Sequence, residues 1–419
     1  MGYGVAKCHD EIHGIIKFRE NQTLSLVFLY KIKFMKDVFL LNPDYTFLNH
    51  GSFGACPKPI FENYQSFQLE MESDSVYFIQ KKFVEHLAKA KKSLANFINC
   101  DADNFVFIPN PTVAINTIMR SLNLKEGDEI LSTNHEYGAM DRTWNFYCKN
   151  SGVKYVRQPI SLPIISKEKI LEEFWCGLTA NTKLIFLNQI SSTTALIFPV
   201  KEICDKAREL GITTIIDGAH VPGHIDLDIT DLNPDYYTGT LHKWMLAPKG
   251  SSFLYVRKEL QNKIEPLVVS WGYESLTPSG STFLDYLEYQ GTNDNSAYLC
   301  TPTVIDFLEN NNWKQKSIEA KDLVLKNYPR FCELLNTKPL APLSTEFLGQ
   351  MASVPIKTSK PHELKDLLYE KYKIQVPIML LNEKVYLRYS INAYNSQTDL
   401  DILYKALQDI IATSDLIQV

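Results

Sequence analysis

The chain has 419 residues, of which 45% are hydrophobic and 22% charged, and its formal net charge is −5. This composition is ordinary for a globular protein, and the weak negative charge gives no reason to expect a nucleic-acid partner. Eight cysteines without a CxxC pair do not indicate a disulfide scaffold or a cysteine zinc site, so we predict reduced thiols, no metal and a cytoplasmic location.

The N-terminal region differs from the rest of the chain. Residues 1–34 contain one apolar run, 24–30, which is too short to span a bilayer and lies too far from the start for a signal peptide. We therefore predict an N-terminal extension outside the main fold, with no membrane contact. Residues 58–99 are predicted to be mostly helical.

Apolar runs and helical patterns alternate from about residue 104. The apolar runs occupy residues 104–109, 128–134, 153–159, 182–190 and 213–219. Strands that are apolar throughout and alternate with helices indicate an α/β fold with a mostly parallel sheet covered on both faces. Ligands of such sheets bind beyond the carboxyl ends of the strands. The residues that follow each run are therefore the candidate site residues.

The pattern changes after residue 300. Long helical stretches flank shorter strand-like runs, with helices predicted at 303–336, 361–373 and 397–413 and strands at 351–357 and 385–391. This pattern of helices and short strands predicts a second, smaller α+β domain. No internal repeat or low-complexity segment interrupts the chain.

Lys243 and Asp217 have the chemistry of a cofactor site. Lys243 follows a strand-like run, and burial there would lower its pKa and allow it to form a Schiff base with an aldehyde cofactor. Asp217 ends the apolar run TTIIDGAH, where a pyridinium N–H would compensate its burial. Taken alone, a lysine such as Lys243 is more often a surface or ion-paired residue, and Asp217 could also be a helix N-cap after a strand.

Two further segments could hold a phosphate group and a planar ring. In IPNPTVAIN a strand leads through Thr112 into a helix, whose N-terminal N–H groups bind phosphate well. Tyr137 follows the strand at 128–134, where an aromatic ring can stack on a pyridine ring. Each segment has an ordinary structural explanation. Their occurrence in this order at one sheet edge favours the cofactor site.

The sequence resembles the class V aminotransferases of fold-type I pyridoxal-phosphate enzymes, and most nearly the isopenicillin N epimerase-like branch. The resemblance covers the chain from about residue 40 to its end. It is carried by LNHGSFGACP (48–57), PNPTVAIN (109–116), HEYGA (135–139), DGAHVPG (217–223), TGTLHKWMLAPKGSSFLYV (238–256), QGTND (290–294) and VYLRYSINAYN (385–395).

The resemblance implies a three-layer large domain at 66–305, a smaller α+β domain at 306–419, and a segment at 35–65 that lines the active site. Lys243, Asp217 and His50 are the expected catalytic residues, and Arg388, Asn49 and Ser52 the expected residues for an amino-acid substrate. Thr292 would reach the phosphate of a second subunit, which implies a homodimer. The expected cofactor contacts are Lys243, Asp217, His220, Tyr137, Thr112, Val113, Thr240, His242 and Thr292.

Two departures bear on the activity. Pro111 removes one possible phosphate donor, which the first helical turn tolerates. Residues 333–387 contain no cysteine, which argues against the cysteine-nucleophile mechanism of class V desulfurases.

Epimerase-like chemistry at the α-carbon of an amino acid is the first expectation from the sequence, and three alternatives stay open. Epimerase chemistry needs a second acid or base opposite Lys243, for which His50, His135 and Tyr137 are candidates. A C–S lyase expels a β-substituent after removal of the Cα proton, and a transaminase reprotonates the cofactor carbon. A non-catalytic binding protein with this fold is the alternative of another class.

Overall fold

The computed structural model describes residues 35–419, and the extension predicted at 1–34 lies outside these residues. Residues 35–38 are helical. The mostly helical character predicted for 58–99 is confirmed, and the helix Phe83–Phe97 buries Leu87, Ala90 and Leu94 along one face. The elements of this part are β1 (Thr46–Phe47), α1 (His50–Phe53), α2 (Lys58–Ser73), α3 (Ser75–Tyr77), a π-helical turn (Phe78–Lys82) and α4 (Phe83–Phe97).

A seven-stranded sheet forms the centre of the molecule, and each predicted apolar run supplies one of its strands. Its elements, after a 3-10 turn at Ala102–Asn104, are β2 (Phe105–Ile108), α5 (Pro111–Ser121), β3 (Glu129–Thr133), α6 (Gly138–Ser151), β4 (Lys154–Gln158), α7 (Lys167–Trp175), β5 (Thr182–Asn188), α8 (Val200–Glu209), β6 (Thr213–Gly218), α9 (Ile229–Leu232), β7 (Tyr236–Thr240) and β8 (Ser252–Val256).

The strand order is β2-β8-β7-β6-β5-β3-β4. All neighbouring pairs are parallel except those of β8, which runs antiparallel to both β2 and β7. The predicted mostly parallel sheet is therefore confirmed. In the register of β5, β6 and β7, Asn188 pairs with Asp217 and Asp217 with Thr238, so polar side chains meet at one sheet edge.

Both faces of this sheet are buried, as expected for a three-layer fold. Leu184 and Phe186 of β5 pack into one hydrophobic cluster with α5 and α6, whereas Ile185 and Leu187 pack into the other. Alternate residues of one strand thus serve opposite layers, which explains the nearly continuous apolar run in the sequence.

The rest of the chain contains a smaller antiparallel sheet of order β11-β12-β9, and β10 pairs with β1. The elements of this part are a 3-10 turn (Lys258–Lys263), α10 (Thr282–Leu287), α11 (Ser296–Leu299), α12 (Thr301–Asn310), α13 (Trp313–Leu334), β9 (Met351–Ile356), α14 (Pro361–Glu370), β10 (Ile374–Gln375), β11 (Ile378–Leu381), β12 (Lys384–Ser390) and α15 (Gln397–Thr413). Within residues 35–419, no helix is long and apolar enough to cross a membrane.

Two helix predictions in this part need correction. The single helix predicted at 303–336 is two helices, because Asn312 adopts a left-handed conformation with φ of 51° between α12 and α13. The helix predicted at 361–373 ends at Glu370, and Lys373, with φ of 55°, turns the chain into β10.

Candidate active site

A cavity of about 330 Å³ opens at the carboxyl ends of the parallel strands. The N-terminal segment and β12 close its sides. Its walls therefore come from regions that are far apart in sequence: Gly51, Ser52, Phe53, Asn110, Pro111, Thr112, Tyr137, Met140, Asn188, Ile190, Ser192, Asp217, Ala219, His220, Thr240, His242, Lys243, Met379 and Arg388.

Lys243 lies in a tight loop between β7 and β8. The amide of Leu246 donates to the Lys243 carbonyl at 3.1 Å, and the amides of Leu241 and His242 both donate to the carbonyl of Ser251, which precedes β8. Leu246 itself adopts a left-handed conformation with φ of 68°. These bonds fix the backbone from which the lysine side chain enters the cavity.

The Lys243 amine is prepared to lose its proton. Burial first, and the charge of Arg388 second, lower the pKa of Lys243 to about 8, while Asp217 acts in the opposite direction. An amine in this range has a substantial neutral fraction near neutral pH, which nucleophilic attack and proton abstraction both require.

Asp217 is buried at the end of β6. Its Oδ1 accepts a hydrogen bond from the amide of Ala219 at 2.9 Å. Burial raises the pKa of Asp217, although the Ala219 bond and the Lys243 charge oppose this shift. A cationic N–H placed against this carboxylate would compensate its burial.

The imidazole of His220 lies beside the lysine. Its Nε2 is 3.4 Å from Lys243 Nζ, and its Nδ1 is 3.3 Å from the indole nitrogen of Trp244. Burial, followed by the charge of Lys243, keeps the pKa of His220 well below its ordinary value. His220 is therefore a neutral ring whose two nitrogens have different partners.

The opposite end of the cavity has the donors expected of a phosphate site. Asn110 caps α5, but its Oδ1 accepts the amide of Val113 at 3.0 Å, so that amide is already used within the cap. Thr112 is exposed and lines the cavity. The buried Thr240 hydroxyl also lines it and has no hydrogen-bond partner.

His242 completes this end. Its Nδ1 lies 2.9 Å from the Ser251 carbonyl, an acceptor, so Nδ1 carries the proton and Nε2 is free. Burial and the neighbouring Lys243 charge lower the pKa of His242 to about 4. A bound phosphate would act in the opposite sense by favouring the cationic ring.

Arg388 enters the cavity from β12 and is buried. Its Nη2 donates to the Ser52 hydroxyl at 2.9 Å, and its Nη1 donates to the carbonyl oxygen of Ser192. The Ser52 hydroxyl donates in turn to Asn49, and Arg388 Nε has no partner. The guanidinium is thus fixed by hydroxyl and carbonyl groups with no carboxylate among these partners.

The two histidines considered as second bases do not line the cavity. His50 donates through Nε2 to the Lys243 carbonyl at 3.0 Å and accepts the Tyr394 hydroxyl at Nδ1, 2.8 Å away. His135 bonds the Ile160 carbonyl at 3.1 Å and the Thr194 hydroxyl at 3.3 Å. All four ring nitrogens therefore have protein partners.

Tyr137 and Thr292 occupy different positions relative to the cavity. Tyr137 is half-exposed, precedes α6 and lines the cavity. Thr292 is exposed and is not among the lining residues. The structure thus places at the cavity every predicted site residue except His50, Asn49, Val113 and Thr292, of which the first three contact its lining residues.

The sequence reasoning missed Asn188. Asn188 is the last residue of the apolar strand β5, and its side-chain Nδ2 donates to the His135 carbonyl at 3.1 Å and to the Glu136 carboxylate at 2.6 Å. Its Oδ1 is buried without a partner. A polar residue at the end of an apolar run was the available signal. Glu136 itself is buried, and this burial raises its pKa to about 7.

These residues fit pyridoxal 5′-phosphate. The unpaired Thr240 hydroxyl and the N-terminus of α5 suit the phosphate, and the buried Asp217 carboxylate suits a pyridinium nitrogen. Lys243 supplies the amine. Within the described part of the chain, no group of three or more His, Cys, Asp or Glu side chains could hold a metal ion.

The chain belongs to the class-V aminotransferase family, whose profile matches residues 55–403. The members of this family are pyridoxal-phosphate enzymes, so the predicted family, enzyme class and cofactor are confirmed. The chain is 32% identical over 385 residues to the isopenicillin N epimerase of Streptomyces clavuligerus, covering 88% of this chain and 95% of that protein.

Relatives with other names are also similar. A protein of Arabidopsis thaliana named "Probable L-cysteine desulfhydrase, chloroplastic" is 25% identical over 408 residues, covering 88% of this chain and 84% of that one. The apo structure of a cysteine desulfurase from Thermococcus onnurineus superposes with a TM-score of 0.77 at 18% identity, covering 90% of this chain and 98% of that one. This structural similarity confirms the predicted fold.

Proposed function

We propose that this enzyme removes the Cα proton of an L-amino acid, with Lys243 as the base. The lowered pKa of Lys243, to about 8, supports this role because a neutral amine can accept a proton near neutral pH. The bound cofactor supplies an electron sink for the carbanion, and Asp217 keeps its ring nitrogen protonated.

Arg388 binds the substrate carboxylate in this proposal. Its Nε has no partner, and its other two nitrogens rest on neutral groups of Ser52 and Ser192. A carboxylate can displace these neutral acceptors and pair with the guanidinium through two hydrogen bonds. The same contact orients the Cα–H bond relative to Lys243.

We further propose β-elimination of a sulfur-containing amino acid as the outcome. The observation that carries this proposal is the engagement of both ring nitrogens in His50 and in His135. Elimination needs one base, which Lys243 provides, whereas epimerisation needs a second one opposite it. His50 becomes a positioning residue, since it holds the Lys243 carbonyl. The relative named L-cysteine desulfhydrase is consistent with this chemistry.

Epimerisation, which the sequence placed first, is the second candidate. It is favoured by the 32% identity to an isopenicillin N epimerase and by the phenol of Tyr137, which lines the cavity. In that case Tyr137 would exchange a proton with the substrate on the side away from Lys243.

A product assay separates these reactions. The holoenzyme is given a panel of L-amino acids and cysteine conjugates, and pyruvate with ammonia, loss of chirality, and the pyridoxamine form of the cofactor are measured separately. We expect pyruvate and ammonia. Loss of chirality alone selects epimerisation, in which case Tyr137→Phe should abolish it. Conversion of the cofactor to its pyridoxamine form selects transamination. Full activity of Lys243→Ala in all three assays would refute the mechanism.

We also propose that two copies of the chain form a dimer. The segment 267–276 exposes a patch of apolar side chains, among which Leu276 is 98% exposed and Trp271 83% exposed. A patch of this kind is typical of a protein interface. Light scattering should give twice the 48.0 kDa chain mass. Leu276→Asp should lower that mass, whereas Ile165→Asp, at a separate exposed site, should not.

A further inference from the structure

The indole of Trp244 determines which nitrogen of His220 carries a proton. An indole N–H is a donor only, so the His220 Nδ1 that lies 3.3 Å away must accept with its lone pair. Neutral imidazole has one proton, which is therefore on Nε2. That nitrogen faces Lys243 Nζ at 3.4 Å, where a neutral amine, but not an ammonium group, can accept its hydrogen bond. His220 also lines the cofactor cavity.

Two histidine rings pack against the Trp244 ring. The His224 ring stacks on it with centroids 4.0 Å apart and an interplanar angle of 24°, and the His50 ring lies 4.9 Å away on a tilted plane. Trp244 is 1% exposed. The backbone of Trp244 is also closely packed, because a Cβ on Gly223 would lie 2.6 Å from the Trp244 carbonyl carbon.

His224 is itself held in one orientation. Its Nε2 accepts the amide of Gln350 at 2.6 Å, so its proton is on Nδ1, which donates to the His220 carbonyl at 2.9 Å. A Cβ on Gly349 would lie 2.1 Å from His224 Nε2, so the chain that leads into β9 packs directly against this ring. The contacts thus run from Gln350 through His224 and Trp244 to His220.

We propose that Trp244 is a positioning residue, which holds the proton of His220 on Nε2 so that it faces Lys243 and the cofactor. His220 is expected to contact the cofactor ring, and Trp244, the residue that follows Lys243, selects its tautomer. The consequence for the cofactor rests on the proposed function, whereas the location of the proton does not.

The proton can be located without cofactor or turnover. In apo-protein labelled with ¹⁵N-histidine and held at about pH 9, where the Lys243 amine is mostly neutral and can accept a hydrogen bond, long-range ¹H–¹⁵N spectra distinguish the two tautomers. His220→Gln identifies the signal of His220. We expect a protonated Nε2 in the unmodified protein. A protonated Nδ1 would overturn the proposal.

Trp244→Phe then tests the cause. Phenylalanine retains an aromatic ring between His224 and His50 but lacks the N–H, so the nitrogen shifts of His220 should move toward the other tautomer. Trp144→Phe is the matched control, since Trp144 is also fully buried and its Nε1 has no hydrogen-bond partner. Unchanged His220 shifts in a folded Trp244→Phe protein would overturn the proposal.

The holoprotein supplies a second readout. An N–H directed at the cofactor stabilises negative charge on the ring oxygen, so the pH midpoint of the cofactor absorbance should rise in Trp244→Phe. The expected rise is about 0.5–1 pH unit, equivalent to one neutral hydrogen bond. Trp144→Phe should leave the midpoint unchanged. An unmoved midpoint in Trp244→Phe overturns the proposed effect on the cofactor, whatever reaction the product assay finds.

Discussion

Ser52 and Arg388 are hydrogen-bonded to each other at 2.9 Å although 336 residues separate them in the chain. This bond joins the N-terminal segment to β12 across the mouth of the cavity. The hydroxyl of Ser52 also donates to Asn49, so the guanidinium is presented by a short polar chain. The orientation of the Arg388 guanidinium therefore depends on the packing of the N-terminal segment against it.

Arg388→Lys should weaken substrate use strongly. Lysine keeps the charge but cannot make two parallel hydrogen bonds to a carboxylate, so we expect kcat/KM to fall by about 10–100-fold, mainly through KM. Steady-state kinetics on the best substrate of the panel measures this. Arg330→Lys is the control, because Arg330 pairs with Asp401 outside the cavity and its substitution should leave kcat/KM nearly unchanged. Equal kinetics in the two variants would contradict the assignment.

Cofactor uptake by the apo-protein should follow the protonation of Lys243. Only the neutral amine attacks an aldehyde, so the uptake rate should increase with pH and level off above about 8, the pKa of Lys243. Stopped-flow absorbance between pH 6 and 10 measures the inflection.

The same measurement tests the influence of Arg388 on the lysine. The guanidinium charge lowers the pKa of Lys243, so Arg388→Met should move the inflection to higher pH. An inflection that stays in place or moves to lower pH would contradict this electrostatic coupling.

Thr240→Val should weaken cofactor binding without destabilising the apo-protein. The Thr240 hydroxyl is buried and unpaired, so its loss removes no internal hydrogen bond, whereas a charged phosphate would lose a donor. We expect the Kd of pyridoxal phosphate to rise by about 10-fold.

Thr238→Val is the complementary control. The buried Thr238 hydroxyl donates to the Phe253 carbonyl at 2.9 Å, so its replacement should lower the free energy of unfolding by about 1 kcal/mol. Its effect on the Kd should be small, since Thr238 is not among the cavity-lining residues. Thermal melts and cofactor titrations measure both quantities for both variants. If the assignment were wrong, Thr240→Val would lower the stability and Thr238→Val would raise the Kd.

Gly54→Ala should disrupt the site. Gly54 adopts φ of 67°, and a Cβ there would lie 2.2 Å from the His242 carbonyl oxygen and 2.8 Å from Lys243 Cα. Gly211 has nearly the same φ, 68°, but a Cβ there would meet nothing within 4 Å.

Gly211→Ala should therefore cost only the left-handed strain, about 1 kcal/mol, and retain cofactor absorbance. Gly54→Ala should lower the free energy of unfolding by more than this and should reduce the cofactor absorbance, because the backbone of His242 and Lys243 must shift. Equal melting temperatures and equal absorbance in the two variants would show that the close approach is unimportant.

Much of the fold was predictable because strands and helices leave local periodic patterns. The apolar runs that became β2 to β6 were read directly from the sequence, and so was the helix α15 at 397–413. The break between α12 and α13 falls at three consecutive asparagines, 310–312, a residue type that tolerates the left-handed conformation of Asn312. The helical patterns on either side conceal this signal. Local backbone conformation at a single residue has little influence on such patterns.

By itself the sequence determined the family and the cofactor, and it placed Asp217 and Lys243 after strand-like runs of the large sheet. Residue type carries this information, since each side chain has the chemistry that one part of the cofactor or substrate needs. Tertiary structure alone decided which groups are available. In the folded chain both ring nitrogens of His50 have hydrogen-bond partners, and the Val113 amide donates to the helix cap. The Thr240 hydroxyl is unpaired, and Trp244 lies against His220. The reason is that hydrogen-bond partners distant in sequence meet only when the chain has folded.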